Sequence, residues 1–303
     1  VAGARSSIKA LSSLKKKGKK VGKLRFKSKY TSINLKQAGK TYKIRGSKAR
    51  IQNIPGWVRV RGVSQIEGTE LANAKLVRRS DGFHLLVTTY RFTDEIPSQI
   101  KYEGVVGVDF GVKTSFTLST GEKFDIAVGE TERLKRLQRK LARQEKGSNN
   151  YKKTQDKISR EYKHITDRRD DIANKLSHEI LGYEQVFIQD ENITGWKSKR
   201  GFARGGRKIQ RSVLGRVKAR LSANPRVTIL DKHVATTATC ICGVKTKHTP
   251  DKRTFVCSSC GYSDDRDIHA AKNMVRLSGV CDLILSTGRT ELTPVELTTS
   301  ACD

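Results

Sequence analysis

Val105-Val106-Gly107-Val108-Asp109-Phe110-Gly111 sets a single carboxylate inside an apolar run and closes on glycine. A run of this kind reads as a buried strand followed by a turn. Burying a carboxylate there is costly unless a cation or hydrogen bonds compensate it. Two later segments repeat the theme: Val186-Phe187-Ile188-Gln189-Asp190-Glu191-Asn192 and Asp264-Asp265-Arg266-Asp267-Ile268-His269-Ala270-Ala271. In order they read as strand with acid, strand ending in acids, and helix start with acid.

The rest of the chain is strongly basic. Its 303 residues hold 61 Lys+Arg against 30 Asp+Glu, a net charge of +31, which points to a polyanionic partner. A basic protein that gathers a few acids at strand ends is suited to holding divalent metal against a nucleic-acid backbone. Apolar content of 36% suffices for a core, and the length suits two or three domains. No apolar run is long enough for a transmembrane helix, and no apolar signal core follows the basic first residues. With all six cysteines after residue 239 and four of them clustered, a reducing, cytoplasmic setting is expected and no membrane partner. The chain opens at Val1 within a basic run, which suggests an N-terminal truncation.

Residues 1–50 carry 17 Lys+Arg and no acid. Lys15, Lys16, Lys17, Lys19 and Lys20 form a flexible basic stretch expected to contact phosphate. From 25 to 92 the pattern is β. Val58-Arg59-Val60-Arg61 alternates, presenting Arg59 and Arg61 on one face, and Asp81-Gly82 predicts a hairpin between 74–79 and 83–92. Several short strands with basic outward positions suggest a small barrel along a nucleic-acid backbone. Asp94-Glu95-Ile96-Pro97-Ser98 reads as a linker. Two strands are expected over 104–118. A helical hairpin follows, with Leu134, Leu137 and Leu141 on one stripe and Ile158, Tyr162, Ile165, Ile172 and Leu176 on the other. Its outer faces carry Arg136, Arg139, Lys140, Arg143, Lys153, Lys157 and Arg160, either a solvated surface or a track along a duplex. A strand over 185–190, a helix over 209–221, a strand over 226–231 and a helix from 267 to 277 complete the reading. Asp264 or Asp265 is placed to cap the last helix.

Three carboxylates on separate elements are what a ribonuclease-H-like nuclease site requires, one metal activating water and the other stabilising the leaving oxygen. Asp109 and Asp267 are the outer members. In the middle segment side chains alternate faces, so a strand persisting that far turns Glu191 towards the metals and Asp190 away.

Cys257-x-x-Cys260-Gly261 is a zinc-knuckle half, with fourteen residues between Cys242 and Cys257. Cys240, Cys242, Cys257 and Cys260 can bind one structural zinc tetrahedrally and fold a small ribbon. The first half, Cys240-x-Cys242, is tighter than usual and leaves His248 as a substitute ligand. Cys281 and Cys302 have no partner spacing.

These motifs resemble the TnpB/OrfB family of transposon-encoded proteins, relatives of type V CRISPR effectors. The resemblance runs from about Lys23 to Glu296. It is carried by Gly107-Val108-Asp109-Phe110-Gly111, Gly147-Ser148-Asn149-Asn150, Gln189-Asp190-Glu191-Asn192, Thr236-Thr237-Ala238-Thr239-Cys240, Phe255-Val256-Cys257-Ser258-Ser259-Cys260-Gly261-Tyr262, Asp265-Arg266-Asp267-Ile268-His269-Ala270-Ala271, Gly288-Arg289-Thr290-Glu291 and Thr293-Pro294-Val295-Glu296.

It implies an RNA-guided DNA endonuclease of mixed α/β and β multidomain build, with guide RNA and target DNA as partners. The expected parts are a basic segment and wedge-like β-barrel (1–98), a RuvC-like, ribonuclease-H-like α/β nuclease domain (99–235, hairpin 131–180), an inserted zinc ribbon (236–263) and a third-motif helix with tail (264–303). Asp109, Glu191 and Asp267 would hold two magnesium ions, or manganese, and the four cysteines one zinc. The family pattern often places Glu where Gln189 stands, so either Glu191 takes the role or the site is weakened. A nuclease-inactive nucleic-acid-binding relative and a strand-transferring transposase share these residues.

Overall fold

The structure, a computed structural model, describes residues 2–22, 30–66, 70–90, 100–196, 206–246, 249 and 252–279. It divides into two units, Val1–Glu95 and Ile96–Asp303. The expected linker at 94–98 lies outside the described residues.

The first unit opens with a helix, α1 (Ala2–Lys16), where the sequence suggested only a flexible basic stretch. Ile8, Leu11 and Leu14 recur at helical spacing, and Gly18, with φ 70°, ends the run. Lys15, Lys16, Lys17, Lys19 and Lys20 are all exposed at its end. Strands β1 (Ser32–Leu35), β2 (Tyr42–Arg45), β3 (Lys48–Ile51), β4 (Val58–Arg59), β5 (Glu70–Arg79) and β6 (Gly82–Tyr90) follow. They form two three-stranded sheets, β1-β5-β6 and β2-β3-β4, around a shared core of Leu35, Tyr42, Ile51 and Ala74. Among the described residues these sheets do not join into one closed barrel. The β5–β6 hairpin turns at Ser80 and Asp81, where Gly82 adopts φ 138° and Asp81 Oδ1 lies 2.9 Å from His84 Nε2. Arg59 and Arg61 are exposed.

The second unit is built on a five-stranded sheet, β11-β10-β7-β8-β9. Its strands are β7 (Tyr102–Phe110), β8 (Phe116–Leu118), β9 (Lys123–Phe124), β10 (Tyr183–Gln189) and β11 (Val227–Leu230). β7, β10 and β11 run parallel, and β8 and β9 return antiparallel. Parallel strands are covered on both faces, which is why β7 and β10 read as near-continuous apolar runs. Val106, Val108, Phe110, Val186 and Ile188 face one layer, with Ala173, Leu176, Ile180, Leu214, Val217 and Leu221. Phe187 and Leu230 face the other, with Met274 and Val275.

The first layer comes from α3 (Asn149–Ile180) and α6 (Leu214–Leu221). With α2 (Glu132–Ala142), α3 makes the expected hairpin. Thr131 Oγ1 accepts from Leu134 N and Ser148 Oγ from Tyr151 N, capping the two N-termini. Leu134, Ile165 and Leu176 are buried, but Tyr162 is exposed and its hydroxyl accepts from Gln138. Arg136, Arg139, Lys140, Arg143, Lys153, Lys157 and Arg160 are all exposed. The single helix expected over 209–221 is two: α5 (Gly206–Arg211) and α6, after the short α4 (Ile193–Trp196). The break at Ser212 and Val213 lets Ser212 Oγ donate to Ile209 O, while Ile209, Val213 and Leu214 all stay buried.

The second layer is α7 (Arg266–Arg276), preceded by the two-stranded β12 (Thr254–Val256) and β13 (Ser263–Asp265). Its N-cap is Asp265, whose carboxylate accepts from Asp267 N and Ile268 N. Ala270, Ala271 and Val275 are buried. α7 lies directly on β7 at Gly107, where an added Cβ would stand 1.9 Å from Ala271 O.

That contact permits no side chain. Gly107→Ala is expected to lower unfolding stability by ~2 kcal/mol or more, read by thermal or urea unfolding. Gly215→Ala, inside α6 with no atom near the new methyl, is expected to gain about 0.5–1 kcal/mol from helix propensity.

Candidate acid site and cysteine cluster

β7 alternates, so Val106, Val108 and Phe110 point to the α3 layer while Gly107 and Asp109 point to α7. Asp109 lies two residues beyond Gly107 along the strand. Asp267 lies four residues before Ala271 along the helix. Two strand steps and one helical turn are both about 6 Å, so strand and helix deliver the two acids to one end of their contact. Asp109 feels the result. Burial first, then the charges of Asp267 and Glu191, push its pKa up to about 8, against the opposing pull of Arg266 and the Phe110 amide.

β10 ends at Gln189, so face alternation does not carry on to 190 and 191. Lys218 of α6 holds the segment instead, its Nζ donating to Asp190 Oδ1 (2.9 Å) and Glu191 O (2.6 Å). Asp190 is thereby turned to Lys218, whose hydrogen bond and charge keep its carboxyl below the usual range. Glu191 is the member of this pair among the charges acting on Asp109.

Gln189 stands beside Asp109, because Ile188 pairs with Val108 in parallel register. Its amide is fully engaged elsewhere. Nε2 donates to Asp231 O (3.1 Å) and Val234 O (2.7 Å), and Oε1 accepts from Thr236 Oγ1 (3.1 Å). A carboxylate in that rotamer would face two carbonyl oxygens, so the pocket is built for an amide.

Asp267 also meets two arginines that the sequence reading did not single out. Arg253 Nη1 donates to its Oδ2 (3.3 Å) and Arg266 Nη2 to its Oδ1 (3.4 Å). Arg266 adjoins the acid in sequence, but Arg253 arrives only because the β12–β13 pair folds back, and no spacing signals it. Asp264 and Asp265 serve locally. Asp264 accepts from Tyr262 OH and Lys272 Nζ, and Asp265 caps α7 and pairs with Lys123.

The four cysteines converge. Their sulfurs lie within 4.8 Å of one another, with Cys240–Cys260 at 3.5 Å and Cys242–Cys257 at 3.7 Å. Thiolates around a tetrahedral zinc at ~2.3 Å would stand about 3.8 Å apart. The tight Cys240-x-Cys242 half is accommodated by Gly243 (φ 82°), whose N–H donates to Cys240 O, and Gly261 (φ 74°) does the same for Cys257. Backbone N–H groups of Cys260 and Ser259 draw the Cys257 thiol down, and burial pushes the Cys240 thiol up. His248, Cys281 and Cys302 lie outside the described residues. Among those described, the cysteines are the group of three or more such donors drawn this close; the three acids are not gathered so tightly.

The raised Asp109 pKa gives a pH-dependent stability. Between the ordinary carboxylate value and about 8 the folded protein binds the extra proton, so stability without metal falls as pH rises through that window. Asp109→Asn is expected to leave stability near pH 4 almost unchanged. It should raise it by on the order of 2–4 kcal/mol near pH 8.5 in metal-free buffer, measured by urea unfolding at both pH values.

Comparison with known proteins agrees with these motifs. A family model described as "Probable transposase" matches residues 89–194, and one described as "Cas12f1-like, TNB domain" matches residues 217–274. A "Putative RNA-guided DNA endonuclease" of Streptomyces pristinaespiralis is 32% identical over 181 residues, 56% of this chain and 44% of the relative. A "Putative RNA-guided DNA endonuclease InsQ" of Escherichia coli strain K12 is 28% identical over 144 residues, 46% of this chain and 35% of the relative. The matched regions thus span less than half the length of either relative. A cryo-EM structure of a Cas12f1–sgRNA–target DNA complex aligns over 90% of this chain and 70% of its own at TM-score 0.43 and 14% identity. The strand carrying Asp109, the segment with Glu191, and the cysteine unit leading into α7 fall within these matches, and it is over these regions that the chain is similar to the TnpB family of transposon-encoded proteins.

Proposed function

We propose that this chain acts as an RNA-guided, magnesium-dependent DNA endonuclease through a RuvC-type, ribonuclease-H-like site at Asp109, Glu191 and Asp267. The observation that carries the proposal is the Asp109 carboxyl, held among two like charges at the end of an apolar strand. A carboxylate so placed favours a proton or a metal cation over standing alone. Hard oxygen donors from three elements suit magnesium or manganese. Two bound ions would supply water activation and stabilisation of the leaving oxygen.

The chain's own residues have defined parts in this reading. Asp109 and Asp267 would hold cations from strand and helix. Lys218 fixes the backbone that carries Glu191. Arg253 and Arg266, bonded to Asp267, can turn to a phosphate once a cation takes the carboxylate. One zinc at Cys240, Cys242, Cys257 and Cys260 would fix the ribbon; the sulfur separations support it. The parts would be a wedge-like domain of two small sheets with its basic segment (1–98), the nuclease domain (99–235), the ribbon (236–263) and the closing helix and tail (264–303). Lys15, Lys16, Lys17, Lys19, Lys20, Arg59, Arg61 and the exposed basics of α2 and α3 would meet the guide RNA and target DNA backbones. No helix of the described residues is long and apolar enough to cross a membrane.

A second reading is a nucleic-acid-binding relative that does not cut. It is favoured by Gln189, an amide locked beside Asp109 where a carboxylate would serve a metal.

Protein purified with its own RNA is expected to cut target DNA in magnesium. Glu191→Gln and Asp109→Ala should lower the rate by at least a hundredfold with RNA still bound. RNA retention without cutting by the parent in any divalent metal would select the second reading. Metal analysis of the same material is expected to give about one zinc per chain, and none would remove the ribbon's metal.

A further inference from the structure

A buried chain of hydrogen bonds joins the cysteine cluster to α7, which carries Asp267, and to the end of β10, which leads into Glu191. Gln189, Thr236, Thr239, His269 and Asn273 are each 7% exposed or less. Asn273 of α7 donates its amide hydrogens to Thr236 O and Thr239 O, both at 2.7 Å. His269, one turn earlier, stands 2.9 Å from the same Thr239 carbonyl. The same His269 Nε2 lies 3.0 Å from Asn273 Nδ2. Its ring stacks on Phe255 at 3.8 Å, within the apolar cluster that includes Cys240 and Cys257. Arg276 completes the tie, donating to Asn273 Oδ1 and to Cys240 O.

Residues 236–240 therefore form a short strap. At its far end is the sulfur of Cys240. At its near end Thr236 donates to Gln189 Oε1, and Gln189 is the last residue of β10 before Asp190 and Glu191. The hydroxyls of Thr236 and Thr239 and the carbonyls of Thr236, Thr239 and Cys240 are all paired, and in the core the loss of one partner leaves the other uncompensated. The strap cannot shift at the cysteines without disturbing Gln189 or Asn273.

We propose that Thr236 and Asn273 are positioning residues, through which metal occupancy of the four cysteines fixes the segment carrying Glu191 against α7. The further consequence, tighter divalent-cation binding at the acids, rests on the function proposed above. The coupling itself does not. Gln189 in this account is a structural part of the linkage, which is why an amide and not a carboxylate occupies the position.

Thr236→Val removes one hydroxyl at nearly constant volume and touches neither a cysteine nor an acid, while Thr236→Ser keeps the donor. The test is hydrogen exchange over residues 187–192 and 266–276, with zinc bound and after chelation, beside manganese titration by electron paramagnetic resonance. In the parent and in Thr236→Ser, chelation is expected to speed exchange over 187–192 about tenfold and to weaken manganese binding about tenfold. Thr236→Val, still holding zinc by metal analysis, is expected to show the faster exchange already and to respond little to chelation. Unchanged exchange over 187–192 when the parent loses zinc would overturn the proposal, as would a full response in Thr236→Val. Coupled exchange without manganese binding in any form would uphold the linkage and remove the acid site's cation instead.

Discussion

The close approach of α7 to β7 at Gly107 is the contact on which the second unit's chemistry depends. With no side chain at 107, the helix backbone settles on the strand backbone, and the Ala271 carbonyl occupies the place of the missing Cβ. Strand and helix periodicity then do the rest. They carry Asp109 and Asp267 to one end of the contact from opposite partners. A larger residue at 107 would lift the helix and separate the acids with neither of them altered.

Bringing like charges together is unfavourable, and the structure shows how the opposition is met. Asp109 gives way by retaining a proton to a pH far above the ordinary carboxylate range. Asp267 keeps company with Arg253 and Arg266. A cation binding there would have to displace the proton from the one and the arginines from the other. The cysteines differ in kind. Their sulfurs already lie at near-tetrahedral spacing, set by two glycine-terminated turns that need only a local sequence.

The parts of the fold written in local chemistry were legible. An apolar run with one acid gave β7, Asp265 before an alanine-bearing run marked the start of α7, and Asp81-Gly82 marked the β5–β6 turn. α1 was not read, because its abundant lysines obscured the spacing of Ile8, Leu11 and Leu14. The break between α5 and α6 depends on where Ser212 and its neighbours pack, which periodicity does not report. Tyr162 fits the helical stripe by spacing yet lies outside the buried seam. At the acids, Asp109 and Asp267 could be named from their elements. The surroundings of Gln189 and the arrival of Arg253 could not, since the first depends on a loop 42 to 47 residues away and the second on a hairpin that brings it back over 14. Face alternation separates Glu191 from Asp190 in the sequence, but β10 stops at Gln189 and it is Lys218 that takes the Asp190 carboxylate.

The most direct test of the account is a crystal structure with manganese, using anomalous scattering to place the ions. The account requires manganese density bounded by Asp109, Glu191 and Asp267, with Arg253 and Arg266 drawn off Asp267. Density elsewhere, or none beside Asp109 while the cysteines hold their zinc, would contradict it.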